Sequence, residues 1–314
     1  MIVDSDIAII QHLMGENTFT DTSKIVEFSY ISNPDDTIRW IYPKELKQAY
    51  FLNFYSTASF RAKILSTLIK LAFYTGQSHR VKSGDLQLNI TDDSPLGKVL
   101  DKYPNTEFSI FTGTVGENRK AVIEIHDKKE VLVFVKIALT EAAKILVENE
   151  AKCLQNLNTF QFSSLVVPKL LSKNKLDTIG LSNIKPKNFQ QNTTLSQLHI
   201  DAMSELYAKT HVQTKWTNLN TLTESKERVE NLLLDFEVIN ELEKSRILSL
   251  ANKLLTLISI LEEEDEKLVT TLSHGDFTPW NMYSTKNVLH LFDWELSEND
   301  TPILFDLFHF IFQS

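Results

Sequence analysis

Asp276, Asn281 and Asp293 have the residue types and the spacing that phosphoryl transfer requires. The reaction needs a carboxylate that orients the attacking hydroxyl and accepts its proton. It also needs oxygen ligands for the Mg²⁺ ion that neutralises the phosphates. Asn281 follows Asp276 by five residues on one predicted loop, and Asp293 lies just past the next predicted strand. The pattern can therefore supply a base, Asp276, and two metal ligands, Asn281 and Asp293.

The residues around this pattern distinguish it from an ordinary polar turn. Asp-x-x-x-x-Asn alone is a short pattern that arises often by chance. Here His274 and Gly275 precede Asp276, a strand follows the loop, and Asp293 opens an Asp-Trp-Glu segment. Gly275 permits a tight backbone path beside Asp276. The combination favours a phosphoryl-transfer site over unrelated carboxylates on a turn.

The paired segments His-Gly-Asp-x-x-x-x-Asn and Asp-Trp-Glu resemble those of the aminoglycoside phosphotransferase and choline kinase family, which shares the protein-kinase fold. The resemblance covers the chain from about Glu107 to the end. It implies ATP- and Mg²⁺-dependent phosphorylation of a hydroxyl on a small molecule, such as a sugar, an aminoglycoside or an amino alcohol. GTP is an alternative nucleotide, and the motifs do not choose the acceptor.

The resemblance also implies a role for each matching residue. Asp276 matches the catalytic base, Asn281 a Mg²⁺ ligand, and Asp293 the principal Mg²⁺ ligand. His274 matches a residue that braces the catalytic loop. Asp306 matches an aspartate that steadies the same loop from the following helix.

A kinase-like fold further requires a lysine on a strand and a glutamate on the next helix. Lys136 lies among apolar strand residues, where it is costly without a partner. Glu150 on the following helix can be that partner in a pair that holds the α- and β-phosphates. Glu148 competes for this role, but leucines follow Glu150 at the spacing found in the family. The alternative is a lysine on an edge strand that extends to water.

Gly113 and Gly116 lie on a predicted hairpin between the first two strands of the same block. Backbone N–H groups of such a hairpin can bind phosphates. The pattern is weak, because Gly-x-x-Gly is common and the fuller kinase glycine motif is missing, so the nucleotide-covering role rests on position. The strand predicted at 177–184 would be the hinge that binds adenine.

The elements that position these residues follow an α+β plan. We expect a bilobal, protein-kinase-like fold with a small antiparallel sheet and one helix in the N-lobe and a larger, mainly helical C-lobe. An α/β extension precedes them. The predicted domains are 1–104, an extension of unknown role, 105–186, the N-lobe, and 187–314, the C-lobe. The predicted core elements of the N-lobe are strands 108–112, 121–126 and 130–137, the helix 141–157, and strands 166–171 and 177–184.

The extension contains two predicted strands, 24–32 and 37–42, and a helix at 58–75. Apolar residues on one side of this helix are expected to face the core: Phe60, Ile64, Leu65, Leu68 and Leu71. The alternative is a basic amphipathic helix that lies on a membrane surface. This alternative favours a sugar or a surface-glycan precursor as acceptor. Residues 83–104 are polar and turn-rich, which predicts a long loop or a domain boundary.

Composition limits the class of partner and the compartment. The net charge of −9 argues against a nucleic acid as the main ligand. Cys153 is the single cysteine, so an intramolecular disulfide is impossible and a reducing compartment fits. The first fifteen residues do not resemble a signal peptide, and no apolar run reaches about 18 residues. A cytoplasmic protein is therefore predicted, and its oligomeric state is left open.

Two other readings follow from the same residues. The first is a nucleotide-binding pseudokinase with a regulatory or scaffolding role, and the completeness of the predicted site argues against it. The second is a protein kinase, which is disfavoured by His-Gly-Asp in place of His-Arg-Asp and by Asp-Trp-Glu in place of Asp-Phe-Gly. The histidines, including His309, show no spacing typical of a zinc site.

The last apolar run, 307–312, requires a partner surface. In the family, further helices follow the segment that matches Asp306. Two expectations arise: either the chain is truncated, or the N-terminal block packs against this run.

Overall fold

A computed structural model describes residues 4–15, 24–54, 60–127, 130–174, 178–190, 192–234, 241–263 and 267–313. The strands, numbered along the chain, are β1 (Lys24–Ser32), β2 (Ile38–Pro43), β3 (Gly84–Ile90), β4 (Glu107–Phe111), β5 (Lys120–Asp127), β6 (Glu130–Ala138), β7 (Leu165–Val166), β8 (Leu170–Asn174), β9 (Thr178–Ser182), β10 (Val212–Lys215), β11 (Lys267–Ser273), β12 (Met282–Ser284), β13 (Leu289–Leu291) and β14 (Glu298–Pro302). The helices are α1 (Asp4–Met14), α2 (Phe60–Tyr74), α3 (Pro95–Lys102), α4 (Glu141–Leu157), α5 (Gln197–Thr210), α6 (Asn220–Leu234), α7 (Glu241–Glu263) and α8 (Phe305–Gln313).

The predicted α+β fold is confirmed. Eight strands form one antiparallel sheet in the order β3-β1-β2-β4-β5-β6-β9-β8, which makes the smaller lobe. The second lobe contains helices α5 to α8 and two three-stranded sheets, β10-β11-β14 and β12-β13-β7. The strands predicted at 108–112, 121–126 and 130–137 and the helix predicted at 141–157 all form.

Both faces of the eight-stranded sheet are covered, because its central strands carry apolar residues on both sides. On one face, α1 and α3 pack over β1, β4 and β5 in a core that includes Leu13, Leu96, Ile110 and Ile123. On the other face, the core around α4 continues into the second lobe and includes Leu154, Leu181 and Trp294. The sheet therefore holds both the helix α4 and the helical lobe in place on this second face.

One sheet continues across the predicted division at residue 104. β2 pairs with β4 through Trp40 opposite Phe111 and Ile41 opposite Ile110. The expected long loop at 83–104 is wrong, because β3 and α3 lie there. The side chains of β3 alternate in exposure. The polar residues of this strand were therefore interpreted as part of a loop. Ser94 caps α3 by accepting a hydrogen bond from the backbone N–H of Gly97, and proline follows it at the first helical turn.

The face of α2 that contacts the core is not the predicted one. Its buried residues are Ala62, Ser66, Ile69 and Phe73. The side chains predicted to face the core are exposed instead: Ile64, Leu65, Leu68 and Leu71. The side chain of Phe60 and residues 58 and 59 lie outside the described part.

The buried face of α2 is determined by the aromatic cluster against which the helix packs. Trp40 and Tyr42 of β2, together with Phe51 of the 3-10 turn Tyr50–Phe54, form a compact aromatic cluster. This cluster contacts Ile69 and Phe73. Periodicity alone identified a stripe of apolar residues but not which side of the helix would meet the cluster.

The apolar run in α8 is only partly covered. Phe310 is buried, whereas Phe308, Ile311 and Phe312 are exposed. Within the described residues, the expected packing of the N-terminal block against these three side chains is therefore wrong. No helix among the described residues is both long and apolar enough to cross a membrane.

Candidate active site

The loop with Asp276 begins where β11 ends, and its backbone path depends on Gly275. Gly275 has φ 82°, in the left-handed region, and a Cβ there would overlap the backbone oxygen of Leu296. The 3-10 turn Pro279–Asn281 then leads into β12. A tight glycine turn followed by a proline turn thus holds Asp276 between two strands.

Asp306 fixes the start of this loop from the first turn of α8. Its Oδ2 accepts a hydrogen bond from the backbone N–H of His274 at 2.7 Å, and its Oδ1 accepts one from Gly275 at 3.1 Å. Burial raises the pKa of Asp306, while His274 and these two N–H groups act in the opposite direction. Asp306 thereby fixes the backbone of both residues that precede Asp276.

His274 joins the Asp276 loop to the residue before Asp293. The backbone N–H of Asp276 donates to His274 Nδ1 at 3.3 Å, so Nδ1 is the acceptor and Nε2 carries the proton. Nε2 lies 2.9 Å from the backbone oxygen of Phe292 and donates to it. Burial lowers the pKa of His274, which keeps the ring neutral and preserves this tautomer.

Two side chains contact the Asp276 carboxylate. Asn281 Nδ2 donates to Asp276 Oδ2 at 2.8 Å and to its backbone oxygen at 3.0 Å. His309 Nε2 on α8 lies 3.2 Å from Asp276 Oδ1. The amide nitrogen of Asn281 is used by Asp276, so its oxygen is the atom left to bind a cation.

Sequence reasoning considered His309 only as a possible zinc ligand and missed its contact with Asp276. One signal could have found it. His309 follows Asp306 by three residues on one helix, and residues at this spacing share a helix face. Since Asp306 was expected to reach the Asp276 loop, the same face carries His309 to that loop.

Lys136 lies between two carboxylates at the centre of the site. Its Nζ is 2.6 Å from Glu150 Oε2 and 2.6 Å from Asp293 Oδ1. Burial disfavours the charged lysine, but Asp293 and Glu150 outweigh that effect and raise the pKa of Lys136. β6 is an interior strand between β5 and β9, so the alternative of an edge-strand lysine that reaches water is wrong. Glu148 is half exposed and pairs with Lys152 at 3.2 Å.

Asp293 has an unusual backbone conformation and a strongly acidic side chain. It has φ 68° and ψ 58°, a left-handed conformation that is uncommon outside glycine and is often found at functional sites. Burial acts against ionisation of Asp293, but the ammonium groups of Lys136 and Lys120 outweigh it and hold its pKa well below the usual value. The carboxylate is thus charged, which is the state in which a carboxylate binds cations.

Lys120 and Glu295 complete the cluster, and neither was predicted. Lys120 Nζ lies 3.6 Å from Asp293 Oδ1 and pairs closely with Glu295. Burial lowers the pKa of Lys120, and the neighbouring charge of Lys136 lowers it further. Alternation along β5 places Lys120 on the same face as Val122, which is opposite Lys136 in the sheet.

The carboxylates here fit a divalent cation in donor type. One oxygen from each of Glu150, Asp293 and Glu295 lies within 4.8 Å of the others. Hard cations such as Mg²⁺ prefer carboxylate and amide oxygens. Lys136 and Lys120 neutralise part of the negative charge of the three carboxylates. A bound cation can neutralise the charge that remains.

The hairpin with the two predicted glycines is fixed to α1. Gly113 has φ 78°, and a Cβ there would overlap the backbone oxygen of Lys120. Gly116 has open space around it. Arg119 donates from Nε to the backbone oxygen of Thr112 at 3.0 Å, and its guanidinium pairs with Asp6 of α1 at 3.1 Å, both side chains being buried.

A cavity of about 290 Å³ opens between the lobes beside Lys136. Val122 and Phe134 of the sheet lie on one side, and Tyr283 and Phe292, whose rings stack at 5.0 Å, lie on the other. The end of β9 and the segment after it supply residues 182–185, of which 182–184 belong to the strand predicted as the hinge. The remaining lining residues are Asn53, Phe111, Lys120, Lys136, Glu150, Pro168, Leu181, Phe189, Trp280 and Asp293.

The two tryptophans near the site differ in burial. Trp294 is fully buried and donates from Nε1 to the backbone oxygen of Leu291 at 3.1 Å, so it packs the loop. Trp280 is half exposed and lines the cavity.

Comparison with models of protein families gives no match, and comparison with curated proteins gives none either. Several solved structures align with about two thirds of the chain. The ternary complex of APH(2")-IIa with streptomycin and ATP is 14% identical, covers 67% of this chain and 73% of its own, and has a TM-score of 0.47. The GDP and kanamycin complex of APH(2")-IIIa is 11% identical, covers 68% of this chain and 76% of its own, and has a TM-score of 0.48. These structures are of aminoglycoside phosphotransferases, the group that the sequence motifs resemble.

Proposed function

We propose that this chain is a phosphotransferase that uses ATP and Mg²⁺ to phosphorylate a hydroxyl of a small molecule. One observation carries the proposal. Lys136 lies 2.6 Å from both Glu150 and Asp293, in the wall of a cavity between two lobes. These residues come from β6, α4 and the segment after β13, so the cluster is assembled by the fold and not by local sequence.

The cavity and its lysines have the chemistry of a nucleotide site. An adenine base fits between the apolar side chains of Val122 and Phe134 and the ring of Tyr283. Lys136, oriented by Glu150, and Lys120 can bind phosphate oxygens by charge. GTP remains an alternative, since both nucleotides carry the same phosphates.

Asp293 and Asn281 are the proposed Mg²⁺ ligands. The low pKa of Asp293 keeps it ionised, and the orientation of Asn281 leaves its amide oxygen free for a cation. When bound, the ion neutralises phosphate charge as it develops. The hairpin of Gly113 and Gly116 covers the phosphates in this proposal.

Asp276 is the proposed base. It accepts the proton of the acceptor hydroxyl while the new bond from that oxygen to the γ-phosphorus forms and the bond from phosphorus to the ADP oxygen breaks. Asn281 and His309 hold its two carboxylate oxygens, and His274 accepts a hydrogen bond from its backbone N–H. Asp306 holds the backbone of the two preceding residues. His309 is a positioning residue in this account.

The acceptor class is a sugar, an aminoglycoside or an amino alcohol. Exposed Trp280 at the rim of the cavity offers an aromatic face against which a sugar ring can pack. A supply of ATP agrees with the cytoplasmic location predicted from the sequence. The rival proposal, a regulatory pseudokinase, is disfavoured because lysine, glutamate, base and metal ligands are all present.

The test is an ATP-consumption screen against aminoglycosides, amino alcohols and sugars, with Asp276→Asn and Asp293→Asn as matched variants. Asp276→Asn should lower turnover by about 10²-fold or more and leave Mg²⁺-dependent nucleotide binding nearly unchanged by calorimetry. Asp293→Asn should abolish that binding. Equal loss of binding and turnover in Asp276→Asn would contradict its role as base, and turnover of no acceptor despite nucleotide binding would favour the pseudokinase.

A further inference from the structure

Helix α2 presents an apolar stripe to solvent. Ile64, Leu68 and Leu71 follow one another at spacings of four and three residues, and Leu65 lies beside them. Their exposed fractions are 45%, 55%, 55% and 47%. Side chains at these spacings line one face of a helix. Four large apolar side chains in one exposed row are more than the scattered single residues of an ordinary surface.

The opposite face of α2 packs against the core. Phe73 packs against Tyr42 at 5.5 Å and against Phe51 at 5.7 Å between ring centroids, and Ile69 is buried in the same cluster. Rotating the helix to bury the stripe would expose these aromatic contacts. The outward stripe is therefore a stable feature of the folded lobe.

Cationic side chains lie on the same helix as the stripe and just after it. The sequence from residue 60 to residue 84 contains no aspartate or glutamate, although the chain as a whole has a net charge of −9. Arg61, Lys63 and Lys70 on α2 are exposed, and so are His79 and Arg80 just after it. An apolar face flanked by cations suits an anionic lipid surface, where acyl chains accept the apolar residues and headgroup phosphates attract the cations.

We propose that α2 binds the surface of a membrane that contains anionic lipids. Ile64, Leu65, Leu68 and Leu71 enter the boundary between headgroups and acyl chains, and Arg61, Lys63 and Lys70 contact lipid phosphates. Pairing of α2 with the same helix of a second copy is disfavoured, because it would bring two sets of like charges together.

Helix α2 packs against a turn that also contributes to the cavity: Phe73 of α2 contacts Phe51 of the 3-10 turn Tyr50–Phe54 at 5.7 Å between ring centroids. Lys185 Nζ, in the cavity lining, donates to the backbone oxygen of Asn53 in this turn at 3.4 Å. Asn53, in the same 3-10 turn, itself lines the cavity. A membrane-bound α2 would therefore lie next to a turn that lines this cavity.

Vesicle co-sedimentation of the full chain tests the proposal, with phosphatidylcholine alone and with phosphatidylcholine plus phosphatidylglycerol. The chain should sediment with the anionic vesicles and not with the neutral ones, and added salt should weaken binding. Leu68→Gln/Leu71→Gln and Lys63→Glu/Lys70→Glu should each lower the affinity by roughly tenfold or more. All four side chains are exposed, so the fold should persist.

Leu254→Gln/Leu257→Gln on α7 is the matched control, because those leucines are 48% and 56% exposed on the other lobe. This control should bind anionic vesicles like the unchanged chain. Absence of binding to anionic vesicles, or equal loss in the control, would overturn the proposal. A dimer in light scattering that Leu68→Gln/Leu71→Gln dissociates would overturn it in favour of an interface between copies. Nucleotide binding by each variant checks folding independently of lipid.

Discussion

At the scale of single residues, the orientation of the Asp276 carboxylate is the most informative detail. A base must lie within hydrogen-bond reach of the proton that it accepts. Asn281 contacts one oxygen of this carboxylate and His309 the other, at 2.8 and 3.2 Å. Both partners can donate, so together they restrict rotation of the carboxylate about its Cβ–Cγ bond. In the proposed reaction, His309 therefore acts only through Asp276.

Replacing His309 tests this positioning role. His309→Ala removes the contact and should lower kcat by about 10-fold to 100-fold, since a hydrogen bond to a charged group contributes about 1.5–3 kcal/mol. The KM for ATP should change little. His309→Gln, whose amide can still donate, should recover part of kcat. Steady-state kinetics with the acceptor found in the screen measure both values.

A different result for His309 would change the assignment. If His309→Ala raised the KM for ATP as much as it lowered kcat, the residue would act on nucleotide binding. If His309→Gln were as impaired as His309→Ala with an unchanged melting temperature, a donor at that place would not be what Asp276 needs.

At the scale of elements, the glycine hairpin depends on a helix more than a hundred residues earlier in the chain. Arg119 at the base of the hairpin pairs with Asp6 of α1, and both side chains are nearly inaccessible to solvent. Asp6 Oδ2 also accepts a hydrogen bond from the backbone N–H of Ile38 at 2.7 Å. The N-terminal helix, β2 and the hairpin are thus joined at one buried carboxylate.

Removing the arginine should affect stability and nucleotide binding together. Arg119→Ala leaves Asp6 charged and buried without its partner, which should lower the free energy of unfolding by about 3–5 kcal/mol. The double variant Asp6→Asn/Arg119→Gln leaves no unpaired charge and should lose less. Denaturant unfolding and calorimetry with Mg²⁺-ATP measure the two effects.

The exposed pair Lys44–Glu27, at 2.7 Å, provides the control for Arg119. Lys44→Ala should leave the free energy of unfolding nearly unchanged, because solvent screens an exposed pair. The role of the hairpin anchor would be refuted if the folded double variant bound nucleotide as tightly as the unchanged chain.

At the scale of the whole molecule, the sequence predicted strongly patterned elements well and long-range relations poorly. Helix α4 has the expected bounds because Thr140 caps it and a clear apolar stripe follows. The buried face of α2 was wrong because periodicity does not say which stripe meets a partner. β3 was missed because it contains polar residues, of which Asp85 and Gln87 face solvent.

The candidate site likewise contains residues that the sequence predicted and residues that it did not. Motif spacing predicted residues such as Asp276 and Asp293 and the upstream pair Lys136 and Glu150. It did not predict His309 or Lys120, whose significance arises only when α8 and β5 are brought next to those motifs. Such contacts between distant segments are decided by packing, which a local pattern does not contain.

The continuous sheet has a consequence for any attempt to isolate the kinase-like lobes. Without residues 1–104, β4 would lose β2 and become an edge strand with unpaired backbone groups, and Phe108 would lose its ring contact with Phe28 at 6.0 Å. Exposed apolar edges of this kind template aggregation. A shortened chain, 105–314, should therefore aggregate or remain insoluble in size-exclusion chromatography, while the full chain elutes as a discrete species. A monomeric 105–314 chain that binds nucleotide normally would show instead that the lobes fold without their N-terminal neighbour.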